Sequence, residues 1–247
     1  GAHLQFAMLP MCFLPPGKTA DYVVTGGWGE KAAEEAAIVG KVNIAATTLE
    51  DGTYVRVSND AELSLSPTED TAYVHYTTNE TVHGVQFQHV PAVGTRTLVA
   101  DMSSDFLSRP VDWTKHHFVY AGAQKNIGPS GIVAVVADRE LVGRGRKDIP
   151  KMLRYDIHAK NKSLYNTPPT FSVYLMRNVL AYLEELGGLP TIQAENAKKA
   201  KLVYDVIDSA PDFYRAPVER AARSEMNAVF RLPTETLEER FVKEANA

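Results

Sequence analysis

Short apolar runs rich in β-branched and aromatic residues alternate with polar stretches over the first 150 residues of the chain. These runs occupy residues 21–25, 42–46, 54–57, 71–76, 97–100, 118–120 and 132–136. Residues 1–8 predict a turn that leads into a short helix, and the Ala- and Glu-rich residues 30–39 predict another that ends at Gly40. Strands that alternate with helices indicate the α/β class, a mainly parallel sheet flanked by helices on both faces.

The hydrophobic period changes after Thr170. Apolar residues then recur every three or four positions, at Phe171, Leu175, Val179, Leu183 and Leu186. This spacing predicts one long amphipathic helix that ends at Gly187-Gly188. Residues 195–208 predict a second helix, and residues 212–232 predict the start of a small α+β unit. We therefore expect a large domain over residues 1–187, then a linker helix and part of a small C-terminal domain over residues 188–247.

Two of the apolar runs lead into residues with candidate chemistry. Asp101 follows residues 97–100, and Lys125 lies in a turn of small residues after residues 118–120. A lysine desolvated between apolar strands can lose its proton and form a Schiff base. An acid at the carboxyl end of a strand can pair with the pyridine nitrogen of pyridoxal phosphate (PLP). The residues alone also fit a solvated turn lysine and an aspartate that caps the turn after it.

Composition and charge bear on the class of partner. The 247 residues are 45% hydrophobic and carry a net charge of −4 without a basic stripe, so no nucleic-acid partner is expected. The apolar runs are too short to cross a membrane, and the first residues lack the features of a signal peptide. A single cysteine, Cys12, fits a reducing compartment, and the seven histidines lack metal-ligand spacing. We expect a cytoplasmic protein without a metal site.

Residues 121–129 (AGAQKNIGP) resemble the cofactor-lysine motif of the phosphoserine aminotransferases, class V aminotransferases of fold-type I that depend on PLP. Four other blocks resemble the same family in the same order: residues 5–8 (QFAM), 20–26 (ADYVVTG), 75–81 (HYTTNET) and 165–171 (YNTPPTF). The resemblance extends to about Leu232. It implies the large PLP-binding domain of that fold, followed by the start of the small domain.

The resemblance implies a role for each of three residues around the cofactor ring. Lys125 would form the resting Schiff base and move the proton between the substrate Cα and the cofactor. Asp101 would keep the ring nitrogen protonated. Trp28 would stack on the ring, although a tryptophan after a strand is also often an ordinary core or interface residue.

The resemblance also implies how the cofactor's polar groups are held. Thr81 and Gln124 would bind the ring oxygen or the phosphate, and the backbone of Ala2 and His3, at the start of a helix, would bind the phosphate. Capping of the local turn is the alternative role for Thr81.

The segment with Asn166 and Thr167 precedes two prolines, which fix an extended backbone. By resemblance, this loop reaches the cofactor phosphate of the neighbouring subunit. The implied assembly is a homodimer with shared active sites.

The implied reaction transfers the amino group of L-glutamate to 3-phosphohydroxypyruvate, giving O-phospho-L-serine and 2-oxoglutarate, a step of serine biosynthesis that the resemblance also connects with pyridoxine biosynthesis. Two alternatives remain: another class V PLP enzyme, such as an alanine–glyoxylate-type aminotransferase or a desulfurase, and an inactive PLP-binding fragment. In the family, basic residues in an N-terminal segment and near the C-terminal end help to hold the substrate, and the sequence lacks both segments. We therefore expect the chain to bind PLP better than it transaminates.

Overall fold

The computed structural model describes residues 1–246. Its strands are β1 (Thr19–Val24), β2 (Lys41–Thr47), β3 (Leu49–Glu50), β4 (Thr53–Tyr54), β5 (Thr71–Thr77), β6 (Asn79–Glu80), β7 (Val85–Gln86), β8 (Leu98–Asp101), β9 (Phe118–Gly122) and β10 (Val133–Ala137). Its α-helices are α1 (His3–Phe13), α2 (Gly27–Val39), α3 (Ala123–Asn126), α4 (Arg139–Arg144), α5 (Tyr155–Lys160), α6 (Thr170–Glu185), α7 (Gly188–Ser209) and α8 (Glu235–Ala245).

Six of the strands form one sheet in the order β10-β9-β8-β5-β1-β2. All neighbouring pairs are parallel except β9 and β10, which are antiparallel. The predicted α/β class with a mainly parallel sheet is confirmed. Because β5, β8 and β9 run in the same direction, the residues that follow them meet at one edge of the sheet.

Alternate residues of the central strands supply the cores on the two faces of the sheet. Tyr22, Tyr73, Val99 and Phe118 pack on one face together with apolar residues of α1 and α2. Their chain neighbours Val23, Val74, Ala100 and Val119 pack on the other face. Side chains of successive strand residues point to opposite faces, so both faces of these strands are covered by protein.

Several elements differ from the sequence predictions in their boundaries or were not predicted. Of the predicted strand at residues 54–57, only Tyr54 lies in a strand. The second C-terminal helix begins at Gly188, not at residue 195, because Pro190 fits the first turn of a helix, where no N–H partner is needed. Helix α8 was not predicted, although Thr234 caps it by accepting a hydrogen bond from the Leu237 amide.

The long helix predicted after Thr170 is confirmed as α6, but none of its residues is buried. It packs against α7, while Phe171 remains 72% exposed and Tyr174 and Tyr182 each remain 58% exposed. The apolar stripe is therefore only partly covered by residues 1–246. The domain division at residues 187 and 188, which lies in the turn between α6 and α7, stays a prediction.

None of the helices in residues 1–246 combines the length and apolar character needed to cross a bilayer. The same residues bring no three potential metal-ligating side chains together.

Candidate active site

A cavity opens at the carboxyl edge of the sheet, beside the N-termini of α1 and α2. Its lining residues are Gly1, Ala2, His3, Phe6, Trp28, Thr77, Asn79, Thr81, Asp101, Ser103, Ser104, Gln124 and Lys125. Seven of the nine residues assigned to the cofactor from the sequence line this cavity. Asn166 and Thr167 do not line the cavity of their own chain, and both are exposed.

Lys125 is the third residue of α3, the four-residue helix that directly follows β9. Ile127 is fully buried, and Asn126 donates a hydrogen bond from Nδ2 to the Phe106 carbonyl at 2.8 Å. These two contacts anchor the turn and direct Lys125 to the cavity. The expected desolvation of Lys125 between apolar strands was wrong for this chain, because α3 places the side chain at the open mouth, where it is exposed.

Asp101 ends β8 and is 4% exposed. Burial raises the pKa of its carboxyl group to about 6, against an opposing contribution from hydrogen bonds donated by Ser103. One of those bonds joins the Ser103 amide to Asp101 Oδ1 at 2.8 Å. The two interpretations of Asp101 are thus compatible, since this residue caps the turn after β8 and also lines the cavity.

Ser103 and Gly122 connect the ends of β8 and β9. The Gly122 amide donates to Ser103 Oγ at 3.0 Å. A Cβ at Gly122 would lie 2.9 Å from Gln124 Oε1 and 3.3 Å from the Ala2 Cβ. The glycine therefore leaves room for the Gln124 amide to lie close to the start of α1.

Trp28 forms part of the opposite wall. It lies in the first turn of α2, two residues after Gly26, and not directly at the end of a strand. Its ring centroid is 5.2 Å from that of His3, and the Lys31 ammonium lies 4.7 Å from the indole centroid. The indole is thus held between α1 and α2 and offers a flat aromatic surface to the cavity.

Four polar residues of the cavity were not singled out from the sequence: Thr77, Asn79, Ser103 and Ser104. Thr77 ends β5 and the other three lie two or three positions after β5 or β8, and this location is the signal that would have identified them. Thr77 Oγ1 and Asn79 Oδ1 are buried and have no hydrogen-bond partner among residues 1–246. Buried polar atoms without partners are costly, so a polar ligand that pairs with them would be favoured here.

The donor set fits PLP on this geometry. An aromatic wall (Trp28), an acid (Asp101), a lysine amine (Lys125) and a helix N-terminus (α1) line one cavity. They match, in turn, the cofactor's ring, ring nitrogen, aldehyde and phosphate.

Comparison with known proteins gives the family. The profile of the family "Aminotransferase class-V" matches residues 1–247. A phosphoserine aminotransferase of Herpetosiphon aurantiacus is 50% identical over the whole chain, which covers 68% of that protein. The chain thus spans about two thirds of the length of such relatives.

Among the solved structures that are similar over the whole chain are two phosphoserine aminotransferases. One is phosphoserine aminotransferase from Bacillus circulans subsp. alkalophilus, with a TM-score of 0.96 and 48% identity, of which the chain covers 67%. The other is PLP-bound phosphoserine aminotransferase from Trichomonas vaginalis, with a TM-score of 0.90 and 35% identity, of which the chain covers 70%. The chain therefore belongs to the class-V aminotransferases and, within them, to the phosphoserine aminotransferases, which are PLP-dependent enzymes.

Proposed function

We propose that the chain forms the cofactor-binding part of an enzyme that transfers the amino group of L-glutamate to 3-phosphohydroxypyruvate. The observation that carries this proposal is that Lys125 and Asp101 line one cavity together with Trp28. PLP, when bound, supplies an electron-accepting ring that stabilises negative charge at the substrate Cα.

Each residue of the chain then has a defined task. Lys125 Nζ would hold the cofactor covalently, and its free amine would take and return the proton of the substrate Cα. Asp101 would keep a proton on the ring nitrogen. Trp28 would orient the ring and help to exclude water from it.

The polar groups of the cofactor need donors at other parts of the cavity. The backbone at Ala2 and His3 supplies N–H groups at the start of α1. Thr81 and Gln124 supply a hydroxyl and an amide. We assign no separate task to the His3 side chain, whose ring packs against Phe6 and Trp28.

A substrate comparison tests the proposed reaction. The purified protein is loaded with PLP and assayed with glutamate and 3-phosphohydroxypyruvate, with pyruvate or glyoxylate as the competing acceptor, and with cysteine alone. We expect turnover to be highest with 3-phosphohydroxypyruvate. Preference for glyoxylate or pyruvate would indicate an alanine–glyoxylate-type enzyme, and sulfide release from cysteine would indicate a desulfurase. Bound PLP without any turnover would favour the inactive fragment.

We further propose that two copies of the chain form a homodimer in which Asn166 and Thr167 bind the cofactor phosphate of the partner. Both residues are exposed and lie outside the cavity of their own chain. Helix α6 follows them directly and exposes Phe171, Tyr174 and Tyr182. Exposed large apolar side chains grouped on one helix are typical of interfaces.

Subunit mixing tests the shared site. Lys125→Ala chains are mixed with Asn166→Ala/Thr167→Ala chains, and the PLP held covalently by Lys125, trapped by borohydride reduction, is measured before and after the subunits exchange. If the sites are shared, about a quarter of all sites become intact on random mixing, because each heterodimer regains one complete site. Asn161→Ala is the control, since its side chain binds only the Ile157 carbonyl of its own helix. No gain on mixing, or a monomer that binds PLP tightly, would contradict the shared site.

The compartment is also part of the proposal. Cys12 is buried and unpaired, and burial raises the pKa of its thiol to about 11. A lone buried thiol without a disulfide partner fits a reducing compartment such as the cytoplasm.

A further inference from the structure

Glu80 is a fully buried carboxylate for which neither the sequence nor the proposed reaction provides a role. It lies in the short strand β6, directly after the end of β5, and is 0% exposed. A buried ionised carboxylate is costly unless it is paired or accepts hydrogen bonds. The partners of Glu80 therefore indicate what the residue does.

Both oxygens of Glu80 accept hydrogen bonds from the first turn of α2. The Trp28 amide donates to Oε2 at 3.0 Å, and the Gly29 amide donates to Oε1 at 2.8 Å. The residue at the start of this helix, Gly26, has no side chain that could cap it. Glu80 thus supplies the missing cap from more than 50 positions away, and its negative charge suits the N-terminus of a helix.

The backbone around Gly26 is shaped to admit this carboxylate. A Cβ at Gly26 would overlap with both Cγ and Cδ of Glu80. The φ angle of Gly26 is 171°, which is extended backbone that any residue adopts. The requirement for glycine here is therefore the space occupied by Glu80 and not an unusual backbone angle.

Glu80 also stands between two parts of the cofactor cavity. Its chain neighbours Asn79 and Thr81 both line the cavity, and Trp28, which it holds by the main chain, lines the opposite wall. Among the hydrogen bonds of residues 1–246, only the one to the Glu80 side chain joins the Trp28 amide to the segment after β5. A shift of this carboxylate would move the indole relative to Asn79 and Thr81.

From these contacts we propose that Glu80 is a positioning residue that fixes the Trp28 indole against the cofactor cavity by capping α2. The inference rests on the proposed role of Trp28 as the wall that orients PLP. It assigns Glu80 no contact with substrate or cofactor.

Burial and the surrounding charges explain why Glu80 needs the two amide donors. Burial raises the pKa of Glu80 to about 7, and the carboxylates of Asp101 and Glu30 act in the same direction. The amides of Trp28 and Gly29 oppose this shift because they stabilise the charged form. Glu30 itself is exposed and accepts a hydrogen bond from the Tyr54 hydroxyl at 2.7 Å.

The test uses two variants that disturb this carboxylate in different ways. Glu80→Gln keeps the shape but replaces one acceptor with an NH2 group that faces an N–H donor. Gly26→Ala keeps the glutamate, but the added Cβ displaces its side chain. Glu30→Gln is the matched control, because it removes an exposed carboxylate from the same first turn of α2.

Trp28 itself provides a readout that does not depend on activity. Trp113 is the second of the two tryptophans, and its replacement by Phe in every protein leaves Trp28 as the only tryptophan, which is excited at wavelengths that tyrosine does not absorb. Acrylamide quenching of Trp28 is then measured without cofactor, and the dissociation constant of PLP is measured by titration. We expect Glu80→Gln and Gly26→Ala to increase the quenching and to weaken PLP binding roughly tenfold, as for loss of one charge-assisted hydrogen bond. Glu30→Gln should change neither.

A purely structural role for Glu80 predicts a different pattern. The inference is overturned if both variants melt at lower temperature but show the quenching and PLP affinity of the parent protein while folded. If Glu80→Gln does not fold, Gly26→Ala alone decides between these outcomes. Failure of the proposed reaction would appear separately, as absence of transamination by the parent protein, and would leave the quenching result intact.

Discussion

Lys125→Ala should fold normally, bind PLP only reversibly and lose most of its turnover. The Lys125 side chain is exposed at the cavity mouth, so its truncation leaves no void in the core. Without its amine, the chain has no group in α3 that can hold the cofactor covalently. Loss of proton transfer alone should lower turnover by about 10²- to 10⁴-fold.

Peptide mapping measures this directly. PLP-loaded protein is reduced with borohydride, digested, and analysed by mass spectrometry for the lysine that carries the cofactor. Lys115→Ala is the control, because Lys115 is exposed and pairs only with Asp112. If the Lys125→Ala protein still carries PLP on another lysine and retains its turnover, Lys125 is not the cofactor lysine.

The sheet and most of its strands could be predicted from local pattern. The runs that include Val23, Val74 and Val119 are apolar on both sides of the strand, as parallel strands covered by helices require. Boundaries were less accurate where tertiary contacts or end signals decide them, as at Gly188 and in α8. The exposed stripe on α6 could not be foreseen, because periodicity predicts an apolar face but not what covers it.

The candidate active site could likewise be predicted only in part. The resemblance, together with position at strand ends, identified seven residues that the fold brings into one cavity, including Asp101 and Lys125. It missed Glu80, since an acid between two polar residues after a strand has no pattern of its own. Only the fold places its carboxylate within 3.0 Å of the Trp28 amide. Likewise, the exposure of Lys125 depends on the direction in which α3 continues from β9. The small residues around Lys125 do not by themselves determine that direction.

Asp101→Asn should have opposite effects on catalysis and on the stability of the cofactor-free protein. Turnover should fall by about tenfold to more than a hundredfold, because an amide does not hold a proton on the ring nitrogen and a charge-assisted hydrogen bond contributes about 1.5–3 kcal/mol. Asn keeps one carbonyl oxygen, so the hydrogen bond from the Ser103 amide can persist. PLP should still bind through its other contacts, and its binding should raise the melting temperature of the variant less than that of the parent protein.

The stability effect follows from the raised pKa of Asp101, which is about 6 when folded against an ordinary value of 3.8. Between pH 3.8 and about pH 6, the Asp101 carboxyl keeps a proton in the folded state that it has released in the unfolded state. The protonated group therefore favours the folded state at low pH, and this contribution to the unfolding free energy is lost as the pH rises through about 6. At pH 8 the buried charge costs up to about 3 kcal/mol, which Asn removes. Without PLP, the unfolding free energy of the variant relative to that of the parent should therefore rise from pH 4 to pH 8, as measured by urea denaturation.

Asp105→Asn is the matched control for this experiment, because Asp105 is also buried and has a raised pKa but lies outside the cavity. Its carboxylate accepts from Thr78 and Gln86, so its replacement should change stability while turnover is retained. Full turnover in Asp101→Asn would remove this acid from the mechanism. Equal losses of turnover in the two variants would show that the effect is general destabilisation, because only Asp101 lines the cavity in which the ring nitrogen is proposed to lie.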